Sequence, residues 1–207
     1  MADHKITPAD IKRARKAFEA HEPRDLFYRA ATDLVALARQ RATSLSVAEA
    51  LAVLLQTWNK NYYRFHTFDK THFASIEKLL LDHPNILARY RNLTIDNLDR
   101  GEQPTVSSLF QAFENLLGPV GAAKALHLLA PRLFPLWDRH IAKAYGLTLG
   151  NARSNGDHYW RFMLIAQDQC RDLNRQDPGC QNPLKSIDEY NYCEYTKHWW
   201  RDSGGLC

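Results

Sequence analysis

Apolar residues recur along this chain at intervals of three and four, with polar residues between them, so the pattern is helical over nearly its whole length. Thr7-Pro8-Ala9-Asp10 has the form of a helix cap followed by proline in the first turn, and predicts a helix to about Ala20. Asp25 is placed to cap a second helix through Leu26, Ala30, Leu34 and Leu37. Ser44 or Ser46 opens a third through Val47, Leu51, Leu54, Leu55 and Trp58, extending toward Tyr62. Asp69 or Thr71 starts a fourth through Phe73, Ile76 and Leu79, and Pro84 begins a short one to Arg91. Thr105 is expected to cap the next, Trp137 or Asp138 a short helix to Tyr145, Asp157 a long one to Leu173, and Ser186 or Asp188 the last.

Between these segments lie Gly118-Pro119-Val120-Gly121, which reads as a tight turn, a loop bounded by Pro131 and Pro135, and Gly146, a natural residue just past a helix end. Val, Ile and Thr nowhere alternate over the length of a strand. The fold class is therefore all-α: a compact multi-helix domain of about nine helices, read as one domain over residues 1–207.

Composition narrows the class further. The chain has 207 residues, 45% of them hydrophobic, enough for a sizeable core. No apolar run reaches the roughly 20 residues that span a bilayer, and no signal core follows Met1, which predicts a cytoplasmic protein with no membrane partner. Cys170, Cys180, Cys193 and Cys207 are too widely spaced for a zinc ribbon or a closely ligated iron–sulfur cluster, so neither metal nor cofactor is expected, and the thiols are read as free. A net charge of +4 permits a polyanionic partner without requiring one. Walker-type loops, dinucleotide fingerprints, nucleophile elbows and H-E-x-x-H spacings are absent, which disfavours phosphoryl transfer, redox and common hydrolase chemistry.

The chemically informative stretch runs from Leu117 to Leu147. It reads as helix, glycine turn, helix, proline-bounded loop, and then Asp138 at the mouth of another helix. Glycines on either side of Pro119-Val120 let two helices meet sharply, and unpaired N–H groups at the start of the second can hold a phosphate. Asp138 can cap its own helix or face a cleft.

Leu117-Gly118-Pro119-Val120-Gly121, followed by Phe134-Pro135-Leu136-Trp137-Asp138-Arg139-His140-Ile141, resembles the hairpin and catalytic-aspartate segments of the helix-hairpin-helix DNA glycosylase superfamily. The resemblance covers about 30 of the 207 residues, within a hairpin and aspartate region at 105–147. It implies a helix-hairpin-helix element and a DNA partner, contacted through Gly118, Val120, Gly121, Ala122, Arg139 and Lys143. It also implies base flipping, with Asp138 as the catalytic carboxylate stabilising positive charge at the anomeric carbon during hydrolysis of the N-glycosidic bond. Gly and Pro are exchanged relative to the family's L-P-G-V-G. Bifunctional members carry a lysine two residues past the last glycine, where this chain has Ala123. Lys124 lies one residue on, a rotation of about 100°. It is the hairpin's only candidate Schiff-base amine, with Lys143 a poorer one, and the offset argues for a hydrolytic enzyme rather than a lyase.

Two rival readings share the same residues: a non-catalytic nucleic-acid-binding domain, and a helical interaction or scaffold protein whose hairpin is only a turn. The aromatics Trp58, Tyr62, Tyr63, Phe65 and Phe68, interleaved with Lys60, Arg64 and His66, suit either base stacking or a helix end packed on the core; Trp58 is assigned to the core. His127 and His140 are read as structural. Asp188-Glu189-Tyr190-Asn191-Tyr192 and Trp199-Trp200 are read as a segment packed back over the domain.

Overall fold

The computed structural model describes residues 5–150 and 152–200, so Cys207 lies outside the described residues. Among these, every regular element is helical and no strand occurs. The α-helices are α1 (Pro8–His21), α2 (Leu26–Arg39), α3 (Val47–Trp58), α4 (Lys60–Tyr63), α5 (Lys70–Asp82), α6 (Pro84–Arg91), α7 (Gln103–Leu129), α8 (Arg139–Ala144), α9 (Ala152–Gln176) and α10 (Pro183–Asn191), with a π-helical turn over Tyr192–Lys197. No described helix is long and apolar enough to cross a membrane.

Local chemistry sets many of the helix starts. Thr7 and Ser46 each form a reciprocal capping box, with Asp10 and Glu49 respectively, satisfying two N–H groups apiece. Asp69 caps α5 through the His72 N–H, and Asp138 caps α8. Four expected caps differ. Thr105 lies inside α7, which starts two residues earlier at Gln103. Asp25 precedes α2 in a left-handed conformation and caps nothing, because its carboxylate pairs instead with Lys185 at 3.0 Å. Asp157 lies inside α9 rather than at its start, and accepts the Ser107 hydroxyl at 3.1 Å. The last α-helix begins at Pro183, capped by Asn182, one turn before the expected Ser186.

The two longest helices, α7 and α9, pack along one another and carry the aromatic centre of the core. Phe110 stacks on Tyr159 at 4.4 Å between ring centroids, and Trp137 meets Tyr159 edge-on at 5.0 Å. Their polar ends are satisfied by backbone carbonyls: the Tyr159 hydroxyl donates to Pro135 O, between α7 and α8, at 2.8 Å, and Trp137 Nε1 donates to Pro119 O, at the break in α7, at 3.2 Å. A second apolar cluster, formed by Ile6, Ile95, Ala166, Cys170, Leu173, Leu184 and Ile187, joins the far end of α9 to α10 and the N-terminus.

The expected tight turn over 118–121 is a single-residue break. Gly118 alone leaves helical geometry (φ 70°, ψ 168°), and Pro119 already begins the second segment of α7. The reason is local: a residue before proline is driven out of the α region, and glycine alone takes a positive φ there without strain, while proline suits a first helical turn. The carbonyls released at the break are accepted into hydrogen bonds from the preceding elements. Asn59 Nδ2 donates to Leu117 O at 2.9 Å, and the Tyr62 hydroxyl donates to Leu116 O at 2.8 Å. Gly121 plays a different part. It lies within the second segment, and a Cβ there would collide with the Asn59 amide and come within 2.9 Å of Leu117 Cβ.

Gly118→Ala should therefore cost about 1–2 kcal/mol, from a forced positive φ and from a Cβ placed 3.2 Å from the Tyr62 ring. Gly150→Ala, where the new Cβ meets nothing within 4 Å, should be near neutral. Urea unfolding of both variants checks the difference, and equal midpoints would remove the strain argument.

Candidate active-site cleft

Residues of α1, α2, α3, α7, α8, α10, the loop before α8 and the π-helical turn line a cleft of about 410 Å³, within the roughly 300–1,000 Å³ typical of small-molecule sites. The end of α1 supplies Phe18 and Glu22, the start of α2 Asp25, Phe27 and Tyr28, and the end of α3 Thr57 and Trp58. Lys124 enters from α7, Leu136, Trp137 and Asp138 from the loop before α8, and Lys185, Asp188 and Glu189 from α10.

Asp138 and Lys124 both line this space. Asp138 Oδ1 accepts the His140 and Ile141 N–H groups at 2.8 and 2.9 Å, and Oδ2 accepts the Thr196 hydroxyl at 2.7 Å. The carboxylate is thus both a helix cap and a fixed wall of the cleft. The Lys124 ammonium donates to the Trp58 carbonyl. Burial pushes the Lys124 pKa down, and the nearby Asp138 opposes that shift in part. The one-residue offset from the lyase position does not carry Lys124 away from Asp138's cleft: its side chain reaches the same space.

Trp58, assigned to the core from sequence, is half-buried and forms a wall of the cleft, stacking with Phe27 at 6.0 Å and Tyr28 at 6.1 Å. Opposite Lys124, Lys185 is locked in place. Its ammonium pairs with Asp25 at 3.0 Å and Glu189 at 2.9 Å, and lies 4.3 Å from the Tyr28 ring centroid and 4.7 Å from that of Phe18. Five carboxyl groups (Glu22, Asp25, Asp138, Asp188 and Glu189) face two lysines around the cleft. Such a lining suits a neutral or cationic planar group better than a phosphate.

Behind the cleft lies a buried polar cluster. His127 is fully buried, with Nδ1 2.7 Å from Phe134 O and Nε2 3.0 Å from the Tyr28 hydroxyl. The first contact requires Nδ1 to carry the proton, so Nε2 accepts from Tyr28. Burial pushes the His127 pKa down to about 4. Asp188 is 4% exposed and accepts the Leu136 N–H on Oδ1 at 3.1 Å, while its Oδ2 has no hydrogen-bond partner. Burial drives the Asp188 carboxyl well above the usual range. His127 Nδ1 and Asp188 Oδ2 stand 3.8 Å apart. That pair is not ionic, because burial favours the neutral form of both groups.

The residues expected to meet DNA are divided. Arg139 and Lys143 are exposed on α8, and Gly118 and Val120 are half-buried. Gly121 and Ala122 are buried, so the expected outward presentation of their backbone is not found. Asn59 packs over Gly121, covering the start of the second α7 segment. His140 is exposed beside Asp138, and His127 serves structure. Tyr28, Lys185 and Asp188 are cleft residues that sequence reasoning missed. Asp188-Glu189 sat in the segment expected to fold back, which it does: Phe18 contacts Tyr192 and Trp199 edge-on. No metal-type grouping of three His, Cys, Asp or Glu side chains occurs among the described residues, and Cys170, Cys180 and Cys193 are free thiols.

No protein-family model matches this chain, and no curated protein or solved structure matches it either.

The buried acid generates a pH prediction. The folded pKa of Asp188 lies above its unfolded value, so folding favours the protonated form; stability from this group is complete below the unfolded pKa of about 3.9 and is lost as pH rises. Asp188→Asn removes that loss. The variant should be more stable than the parent at pH 8, and the gap should close as pH falls toward 4. Thermal unfolding at pH 4, 6 and 8 reads this directly; a constant gap would show that Asp188 is ionised in the fold.

Proposed function

We propose that this protein is a DNA N-glycosylase-like hydrolase that holds a base, flipped from the stack, in the cleft between Trp58 and Asp138. The observation that carries this reading is the meeting of Lys124 and Asp138 in one aromatic-walled cleft. Trp58, Tyr28 and Phe27 offer ring faces to a planar heterocycle. Arg139 and Lys143, exposed on α8, supply cations that support contact with phosphates.

In the chemical step the bond from the anomeric carbon to the base nitrogen breaks, and its electron pair leaves with the base. Positive charge develops on the sugar, and the Asp138 carboxylate, already fixed by two N–H groups and Thr196, stabilises it without reorganising. Water then forms the new carbon–oxygen bond, and its proton ends on the departing base. The Lys124 ammonium, whose pKa burial lowers, gives its proton to the departing base and regains one from the attacking water.

Asp138→Asn retains the size of the side chain and much of its capping ability. It should leave folding and DNA binding near normal while base release falls on the order of 10²–10³-fold. Lys124→Ala should cost less than Asp138→Asn, and borohydride should trap no covalent complex with the parent. Assays on duplexes carrying deaminated, oxidised and alkylated bases check both. Base release unaffected by Asp138→Asn would overturn the assignment, and absence of DNA binding at low salt would overturn the nucleic-acid reading itself.

A further inference from the structure

The link between α1 and α2 is strained at two successive residues. Arg24 (φ 61°, ψ 14°) and Asp25 (φ 49°, ψ 37°) both lie in the left-handed region, and neither is glycine. In that region a Cβ crowds its own backbone, so such residues persist only where their surroundings hold them. Pro23 fixes the entry to the link, and the Asp25 N–H donates to Glu22 O at 3.0 Å. The Arg24 side chain is exposed, so the remaining hold falls on Asp25. Its carboxylate pairs with Lys185 of α10 at 3.0 Å, with the two side chains only 24% and 15% exposed. The same ammonium lies 4.3 Å from the Tyr28 ring centroid, on the first turn of α2.

The link joins two differently packed halves. α1 packs on α10 and on the π-helical turn, and Ile6 and Ile11 share the smaller apolar cluster with Leu184 and Ile187. α2 packs on α3 and α7, where Val35, Leu51, Leu55 and Leu126 belong to the larger cluster. The cleft follows the boundary between them. Phe18, Glu22, Glu189 and Tyr192 stand on the first side, and Phe27, Tyr28, Trp58 and Lys124 on the second. Clefts between separately packed units open by small rotations that a few linking residues absorb as changes in φ and ψ. Here the linking residues are the strained ones, and a single lysine ties one of them to the opposite half.

We propose that the Arg24–Asp25 link is a strained hinge and Lys185 its latch. While Lys185 holds Asp25, the cleft stays closed over Lys124. When the pair parts, the link relaxes to ordinary backbone and the α1–α10 side swings away from α2. Strain in the closed form favours opening and the ion pair opposes it, which brings the two states close in energy. The device does not depend on what occupies the cleft: a flipped base would enter by it, and so would any other planar ligand.

The test is a pulse of acetic anhydride on the full chain at fixed pH, with acetylation of Lys124 read by mass spectrometry. Asp25→Asn keeps the size of the side chain and tolerates the left-handed conformation, but loses the charge. Lys124 should then acetylate on the order of tenfold faster than in the parent. Arg24→Gly keeps the latch and relieves the strain of the closed form, so acetylation should slow by roughly threefold. Asp82→Asn, which breaks the exposed pair with Lys78 on α5, should leave the rate at the parental value. Hydrogen exchange separates opening from unfolding: in Asp25→Asn the amides of residues 22–28 should exchange faster while those of α7 stay protected. Equal acetylation in Asp25→Asn and the parent, or faster acetylation in Arg24→Gly, would overturn the hinge. So would acceleration in Asp25→Asn that comes with faster exchange throughout α7. None of these outcomes bears on the DNA reading, which stands or falls on duplex binding and base release.

Discussion

The organisation of the cleft depends on one constraint: the non-helical segment between α7 and α8 runs through the interior of a helical protein, and its backbone polar groups need partners there. Each partner comes from a different element. Ile95 N–H donates to Arg132 O at 2.8 Å, His127 bonds Phe134 O, the Tyr159 hydroxyl takes Pro135 O, and Asp188 accepts Leu136 N–H. Pro131 and Pro135 reduce the need, since neither has an N–H to satisfy. The result fixes Asp138 at the end of the segment to within the tolerance of several independent hydrogen bonds. It also explains why fully buried His127 and nearly buried Asp188 are there at all. Both serve backbone groups that an apolar core could not, and both take the neutral form that burial favours.

The charge on the cleft follows from the same economy of position. Lys185 closes an ion-pair box with Asp25 and Glu189 at the α2–α10 junction, so the negative side of the cleft is partly neutralised by the chain itself. Lys124 lacks such a close carboxylate pair and is bound to a carbonyl. Two lysines in one cleft therefore differ in kind. One is structural and ion-paired, while the other is desolvated, which is the environment that makes an amine reactive. An anion would meet both but also five carboxyl groups, whereas a planar base meets aromatic faces.

Helical periodicity and capping chemistry made the fold class legible, because Thr7, Ser46, Asp69 and Asp138 act through near neighbours in the chain. Where sequence reasoning erred, a distant residue had intervened. Asp25 is drawn from its helix by Lys185, 160 positions later. Gly121 reads as a turn residue, but it is a contact residue for Asn59, a packing requirement with no local signature. Trp58 does pack against the core, as its spacing reads, and its remaining face, beside Phe27 and Tyr28 of α2, is a cleft wall that the spacing does not show. Asp138 and Lys124 were each singled out from sequence, but their meeting in one cleft was not, because the one-residue offset of Lys124 argued against it. Asp188 was not, since its significance is set by Leu136 and His127 across the fold.

The capping and catalytic readings of Asp138 are not alternatives. A carboxylate that stabilises a developing cation must hold its position while the charge forms, and mobility would convert its attraction into reorganisation. Here Oδ1 is fixed by two N–H groups of its own helix and Oδ2 by Thr196 from the π-helical turn over Tyr192–Lys197. Those bonds take up most of its accepting capacity, which makes it a weak candidate for abstracting a proton and a strong one for purely electrostatic work. In the proposed hydrolysis, proton transfer is assigned to Lys124, whose pKa burial lowers. The helix cap is thus what makes the carboxylate useful: the interaction that starts α8 also aims one charge into the cleft. The C-terminal segment, tied to it through Thr196, becomes part of the site's support as well as a cover over the fold.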